Sequence, residues 1–234
     1  MQKRYEKASL NTQKTVARRT GFKRSYALQR LPNHDRYLNT PAEPMHLIKN
    51  VVEHLVKLLA GLEDSAKVRR HEEHIGRFRK CWVSEESSAL PAAPFRLQSN
   101  EKAITTERAK KVQVPLLLKW RPSPIFGTKT KMNSHTYKEL VSTRILKYTL
   151  RGLLGRRQRI TLFFFLDTLA ALCAEVIDMS AIDALEYNVH RSLSLLERDF
   201  PVSLHVSVFH LLHHLPTYLR RFGTMYTHWM YPIE

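Results

Sequence analysis

Glycine and cysteine are both scarce in this chain, and each scarcity narrows the choice of fold. Seven glycines in 234 residues are too few for a β fold built on many tight turns, so helices are favoured. The two cysteines, Cys81 and Cys173, lie far apart, and neither has a metal-type partner nearby in the sequence. They indicate neither a disulfide framework nor a cysteine zinc site, and they fit a reducing compartment.

Long apolar runs are also nearly absent. The one membrane-like run is residues 160–177, and Asp167 lies near its centre. A central Asp costs about 2.5–3.5 kcal/mol on membrane-insertion scales, so we interpret this run as a mostly buried core helix. The basic start of the chain is not followed by an apolar segment, so we expect no signal peptide and no secretion.

Positive charge is what the chain has in excess. Lys and Arg number 38 against 21 Asp and Glu, which gives a formal net charge of +17. Residues 1–40 alone hold ten of the basic residues and two acidic ones. A field of this sign attracts polyanions, either nucleic acid or an anionic membrane face. Since the one membrane-like run is interpreted as a core helix, we expect nucleic acid as a partner and no membrane. Contacts with phosphates alone give affinity without sequence readout.

The candidate nucleic-acid-binding residues are basic side chains that cluster in three places along the chain. Their alternative role is an ordinary solvated surface, but the size of the net charge favours contact with nucleic acid. No helix-turn-helix, zinc-finger or single-strand motif is present to read bases, so we expect binding that tolerates any sequence. The candidates are Arg18, Arg19, Lys23, Arg24, Arg30, Arg69, Arg70, Arg77, Arg79, Arg156, Arg157 and Arg159.

Apolar residues recur at helical spacing through most of the chain, which predicts a mainly α-helical fold. We expect an irregular basic arm at 1–40, a helical segment at 41–82, a linker and loop region with a short helix at 83–130, and a helical domain at 131–234. Ser180 and Asp183 resemble a capping box. The predicted helices cover 45–62, 65–82, 100–112, 135–153, 157–177, 181–200 and 202–215, the last preferred over a strand because its neighbours are helices.

Six short motifs follow one another in order over residues 131–234. They are Ser134-His-Thr-Tyr, Arg151-Gly-Leu-Leu, the 162–173 stretch with three phenylalanines, Leu196-Glu-Arg-Asp-Phe-Pro, His210-Leu-Leu-His-His-Leu-Pro and Trp229-Met-Tyr-Pro-Ile-Glu. Their order and spacing resemble the domain of unknown function that follows the catalytic core in transposases of En/Spm (CACTA) DNA transposons. Residues 41–82 resemble the end of that core. In that family the last motif falls within the domain, so we expect a domain truncated at its C-terminus.

The resemblance implies a transposon-derived, nuclear, DNA-associated protein and a candidate catalytic pair. Such transposases are expected to hold divalent metal with three carboxylates for in-line phosphoryl transfer. Their Asp-x-Met-His pattern corresponds to Glu43-Pro-Met-His46 here, and the longer Glu disturbs the geometry that Mg²⁺ requires. The upstream carboxylates are also missing. We therefore assign no catalytic residue, interpret Glu43 and His46 as decoration of a helix N-terminus, and expect no cofactor, with a divalent metal only if a catalytic remnant is active.

A group of histidines near the end of the chain, His205, His210, His213 and His214, contains the candidate metal ligands. His210 and His214 are four residues apart, a spacing that lets two rings on a helix share one metal ion. The same two histidines match those of the resembling family. Their neighbours are leucines, and no acid or cysteine stands at ligand spacing. We therefore favour histidines that bond backbone carbonyls or lie at the core margin.

Two other functions stay open from the sequence. The apolar stripes of the helices at 157–177 and 181–200 favour a protein-interaction module, with self-association or other transposase subunits as partners. The third alternative is a residual metal-dependent transposase or nuclease that uses Glu43.

Overall fold

The computed structural model describes residues 44–82, 90–113, 125–126 and 133–227, all of which belong to the compact unit of residues 42–234. Within those ranges the chain is mainly helical and has no strand, which confirms the predicted fold class. No helix in the same ranges is both long and apolar enough to cross a membrane. The arm at 1–40 lies outside the described residues.

Helix α1 spans Pro44–Leu59, close to the predicted 45–62. Its apolar side chains at helical spacing are buried, and Val52 and Leu55 are fully inaccessible to solvent. Gly61 ends the helix at a φ of 78°, which a glycine adopts without steric cost. The Gly61 amide donates to the Leu58 carbonyl, and the next amide to the Lys57 carbonyl, both at 2.9 Å, as in a Schellman motif. Leu62 follows this turn and is 55% exposed, so the buried stripe ends before it.

Helix α2 spans Ala66–His74 and is shorter than the predicted 65–82. Ser65 caps it as predicted, because its hydroxyl accepts a hydrogen bond from the Val68 amide at 3.4 Å. A second Schellman motif at Gly76, whose φ is 70°, stops the helix. The Gly76 amide donates to the Glu73 carbonyl at 2.8 Å, and the chain continues into a 3-10 turn at Arg79–Cys81.

Residues 90–98, part of the predicted linker and loop region, form a loop that packs into the core. Phe95 is fully buried and lies edge-on to Phe78 with ring centroids 5.0 Å apart. The Leu97 amide donates to the Leu59 carbonyl at 2.8 Å, so the loop also satisfies the end of α1. Ala93 is buried as well, although this segment turns at residues 94–96 and has no regular structure.

Three helices follow this loop: α3 at Ser99–Lys111, α4 at Ser134–Ser142 and α5 at Ile145–Thr149. Helix α3 agrees with the predicted 100–112. Helices α4 and α5 replace the single helix predicted at 135–153, because the chain turns at Arg144, whose φ is 58°. Asn133 caps α4 by accepting a hydrogen bond from the Thr136 amide at 2.8 Å.

Helices α6 (Arg156–Leu172) and α7 (Ile182–Asp199) pack against each other. Leu162 and Leu169 of α6 and Val189 and Leu196 of α7 are buried in the common hydrophobic core. Helix α6 ends five residues before the predicted 177, and Val176 in the following turn is 87% exposed.

The entry to α7 also differs from the prediction. The Asp178 carboxylate, rather than Ser180, accepts the capping hydrogen bond, from the Ser180 amide at 2.9 Å. This bond begins a 3-10 turn at Met179–Ala181 that leads directly into α7. Asp183 does not complete a capping box, and its carboxylate instead contacts Arg220.

Short helical turns complete the described chain. They are 3-10 turns at Val202–Leu204, Leu212–His214 and Met225–Thr227, with α8 at Ser207–Leu211 and α9 at Leu215–Phe222. The preference for helix over strand at 202–215 is confirmed, although the helix is broken. Phe209 of α8 stacks on Phe165 of α6 with ring centroids 5.9 Å apart, which fastens these turns to the core. The motif at 229–234 lies outside the described residues.

Candidate nucleic-acid interface and histidine cluster

Arg77 closes the C-terminal end of α7. Its Nη2 donates to the carbonyl oxygens of Glu197, Arg198 and Phe200 at 2.7, 3.0 and 2.7 Å. Carbonyls at a helix end lack partners within the helix, and a guanidinium there also opposes the negative end of the helix dipole. The loop after α2 is thereby held against the end of α7.

Asp199 lies at the same end of α7 with its carboxylate buried. Arg157 approaches Oδ1 at 2.6 Å, Arg198 approaches Oδ2 at 2.8 Å, and the Thr161 hydroxyl donates to Oδ2 at 2.5 Å. Burial by itself raises the pKa of Asp199, but the hydrogen bonds from Arg198 and Thr161 and the charge of Arg157 hold that pKa below its ordinary value. The ionised carboxylate therefore keeps two arginines side by side.

Three arginines, Arg77, Arg157 and Arg198, thus meet at the C-terminal end of α7. Together with two exposed arginines that lie beside them in the chain, we call them the arginine face. Arg77 is partly buried, whereas the other four are exposed. The carboxylates of Glu72 and Asp199 beside them are buried, and Glu197 is the exposed acid at that helix end, so positive charge predominates. The members of the arginine face are Arg77, Arg79, Arg156, Arg157 and Arg198.

This arrangement joins two candidate clusters that the sequence leaves 80 residues apart, around residues 77–79 and 156–157. It also adds Arg198, which the sequence analysis missed. Arg198 lies between charged neighbours in the Leu196-Glu-Arg-Asp motif, so its position gives no sign that it faces solvent beside Arg157. Only the packing of α6 against α7 brings the two arginines to one carboxylate.

The remaining candidate residues are placed differently. Arg69 is 1% exposed and binds Asp64 through two hydrogen bonds of 2.5 and 2.7 Å, so it belongs to the interior, contrary to the expectation of a surface residue. Arg159 is half-buried and donates to the Leu153 carbonyl at 3.2 Å. Arg70 is exposed on α2. Five candidates lie outside the described residues: Arg18, Arg19, Lys23, Arg24 and Arg30.

The structure describes only one residue of the candidate catalytic pair. His46 is exposed in the first turn of α1, and Glu43 lies outside the described residues. Across the described ranges, no group of three or more His, Cys, Asp or Glu side chains is placed to hold a metal ion. His210 and His214 therefore belong to no such group. Their ring centroids are 5.3 Å apart, and the ring planes are nearly perpendicular.

The histidines near the end of the chain do come together, and they gather a further one that the sequence analysis missed. His190 of α7 meets His213 of the 3-10 turn, with their Nδ1 atoms 2.6 Å apart. The His210 ring lies 5.8 Å from that of His213. No local spacing indicates His190, because it lies on a different helix 23 residues earlier.

A cleft of about 200 Å³ adjoins these histidines between α7 and α8. Leu196 and Phe209 form part of its apolar wall, and Glu197, His205 and His213 are polar residues that line it. Burial lowers the pKa of His205, and the Nε2 atom of this ring is buried without a hydrogen-bond partner. The cleft therefore combines apolar surface with imidazole rings that favour the neutral state.

Comparison with known proteins finds one family. Residues 172–234 match the model of a domain of unknown function, DUF4218. The match includes Arg198 and all of the clustered histidines, and it leaves α1 to α5 and nearly all of α6 unmatched. No curated protein and no solved structure matches the chain.

Proposed function

We propose that this chain is a transposon-derived nuclear protein of En/Spm type that associates with DNA through the phosphate backbone and has no strand-transfer activity of its own. The observation that carries the proposal is the arginine face, where side chains from α6, from α7 and from the loop after α2 meet in a chain of net charge +17. The order of the six motifs supports the transposon origin.

The chemistry of the arginine face suits phosphate. Guanidinium groups offer planar, paired donors that match phosphate oxygens, and they stay charged at every physiological pH. Arg157 and Arg198 each share Asp199, yet their side chains remain 61% and 52% exposed and keep donors available to a ligand. Such contacts position a protein on nucleic acid without reading its bases.

A salt titration with surface variants tests this proposal. Arg79→Ala combined with Arg156→Ala removes two exposed charges and spares the arginines that bond to the end of α7. Arg221→Ala removes one exposed charge elsewhere and serves as the positional control, because its neighbour Arg220 contacts Asp183 and Glu186 in the first turns of α7, at the opposite end of that helix. Fluorescence anisotropy with a labelled duplex of random sequence measures the affinity.

The wild-type affinity should fall steeply between about 50 and 200 mM salt, since each neutralised phosphate contributes about −0.9 to the slope of log affinity against log salt. The double variant should lose roughly two such contributions, whereas Arg221→Ala should keep the wild-type slope. Affinity that does not fall with salt would refute the proposal. If the double variant and the control change the slope equally, the arginine face is not the surface that contacts DNA.

A helical protein-interaction module is the second candidate function, and exposed apolar side chains favour it. Ile160 on α6 and Tyr187 on α7 are 59% and 63% exposed, and Val176 and Met179 in the connecting turn are 87% and 50% exposed. Size-exclusion chromatography with light scattering discriminates, because a well-folded protein that is strictly monomeric at all concentrations argues against self-association.

A further inference from the structure

The contact between His190 and His213 has the geometry of a hydrogen bond between two imidazoles. The Nδ1 atoms are 2.6 Å apart, and the ring planes lie within 25° of each other with centroids 4.8 Å apart. The contact joins α7 to the 3-10 turn Leu212–His214. It therefore holds together two of the elements that border the cleft.

Such a contact depends on how many protons the two rings carry. A neutral imidazole has one N–H donor and one acceptor nitrogen, whereas an imidazolium has two donors and no acceptor. One Nδ1 must donate and the other must accept, so the contact can form when both rings are neutral or when one of them is charged. When both rings are charged, two N–H groups and two positive charges face each other, and the contact is lost.

The groups around His213 disfavour the state in which both histidine rings are protonated. Burial lowers the pKa of His213, and the nearby His190, His210 and His214 lower it further, with Glu197 acting in the opposite direction. His190 has one acid within reach, since Glu186 Oε1 lies 3.8 Å from its Nε2. The Glu186 carboxylate also accepts a hydrogen bond from Arg220 of α9 at 2.7 Å. Arg220 pairs with Asp183 as well, and its positive charge offsets part of the negative charge of Glu186.

We propose that the His190–His213 contact is a proton-sensitive link between α7 and the turn at 212–214. The link is closed while at most one of the two rings is charged, and it opens when both rings are protonated. Because His213 also lines the cleft, opening releases one wall of it and loosens the packing around Phe209. The device lies entirely within the region that matches the family of unknown function, and it is independent of DNA binding.

Nitrogen-detected NMR of the intact protein tests the link without any variant. Spectra of the histidine rings are recorded from pH 8 to pH 5 with EDTA present, so that metal does not replace the shared proton. At pH 7.5 we expect one Nδ1 to be protonated and its partner unprotonated, and below that pH two coupled proton-uptake steps, the second of which breaks the contact. Two rings that take up protons independently of each other would overturn the proposal.

A double-mutant cycle measures the energy of the same link. Urea unfolding of wild type, His190→Ala, His213→Ala and the double variant gives a coupling between the two sites, which should be present at pH 7.5 and lost at pH 5. The coupling should weaken toward low pH because the pKa of His213 is lowered in the folded state. The contribution of His213 to stability is complete above its pKa in the unfolded state and is lost as the pH falls through its pKa in the folded state.

His74→Ala serves as the matched control, because it removes an exposed histidine on α2, far from the cluster in the chain. It should leave the coupling between His190 and His213 unchanged at both pH values. His190→Asn should restore part of the coupling to His213 at pH 7.5 while removing the second proton-uptake step. No coupling at pH 7.5, or a coupling equally strong at pH 5, would refute the link.

Discussion

Arg77 and Phe200, 123 residues apart in the chain, are joined by a 2.7 Å hydrogen bond from the guanidinium Nη2 to the backbone carbonyl. This bond places the loop after α2 on the end of α7. Glu72 of α2 strengthens the same junction, because its Oε1 accepts a hydrogen bond from the Val202 amide at 2.6 Å. The two halves of the described chain are therefore tied at a polar junction as well as through the core.

Removing the Arg77 side chain should weaken this junction. Arg77→Ala leaves helix-end carbonyls without their charged donor, and hydrogen bonds from charged groups contribute about 1.5–3 kcal/mol. We expect the free energy of unfolding in urea to fall by about that amount. Arg79→Ala, two residues away and exposed, should change it by less than about 0.5 kcal/mol. Equal losses for the two variants would contradict a specific role of Arg77.

The buried ion pair of Asp64 and Arg69 gives a second test. Arg96 also donates to Asp64 at 2.9 Å, so one carboxylate binds two guanidiniums. Asp64→Asn leaves Arg69 charged in the interior, and breaking a buried pair in this way costs about 3–5 kcal/mol. Replacing both partners, by Asp64→Leu with Arg69→Met, should cost less than Asp64→Asn alone.

A surface pair provides the control for this experiment. Glu107 and Lys110 are more than half exposed and form an ion pair at 2.9 Å. Solvent screens such pairs, so Glu107→Gln should leave the unfolding midpoint unchanged. If Glu107→Gln and Asp64→Asn destabilise equally, burial is not what makes the Asp64 pair important.

Cys173 should be chemically inert while the protein is folded. Burial raises the pKa of its thiol to about 12, and the thiolate is the reactive form. In a Cys81→Ser background, alkylation of Cys173 by iodoacetamide at pH 8 should be slower than in urea by on the order of a thousandfold. Mass spectrometry of the intact protein follows the reaction. Similar rates in the folded and unfolded states would show that the thiol is accessible.

Local signals predicted much of the fold. The spacing of apolar residues in α1 and α3 and the Ser65 cap of α2 depend on neighbours within one or two turns, and the structure agrees with them. The end of α2 at Gly76 was missed, because the prediction carried the helix on to residue 82 although a glycine in a charged helix can mark a C-terminal turn. The break at Arg144 was not readable from the sequence, since an arginine with a φ of 58° is held there by its surroundings.

Charge and histidine positions were harder to interpret. Arg69 has the same sequence context as Arg70, yet one is buried against Asp64 and the other is exposed. His190 and His213 become neighbours because α7 packs beside the turn at 212–214. For the histidines the deciding partner lies on another element, where no periodicity can reveal it. For Arg69 it is Asp64, five residues earlier and outside the helix.

The amino-acid sequence by itself determined that this protein is helical and strongly basic, because helix formation and net charge follow from local composition and spacing. The tertiary structure alone decided which arginines meet around Asp199, that Arg69 lies inside the core, and which histidines come into contact. The physical reason is that burial and the charge of a partner control the availability of an ionisable group, and both are set by residues distant in the chain.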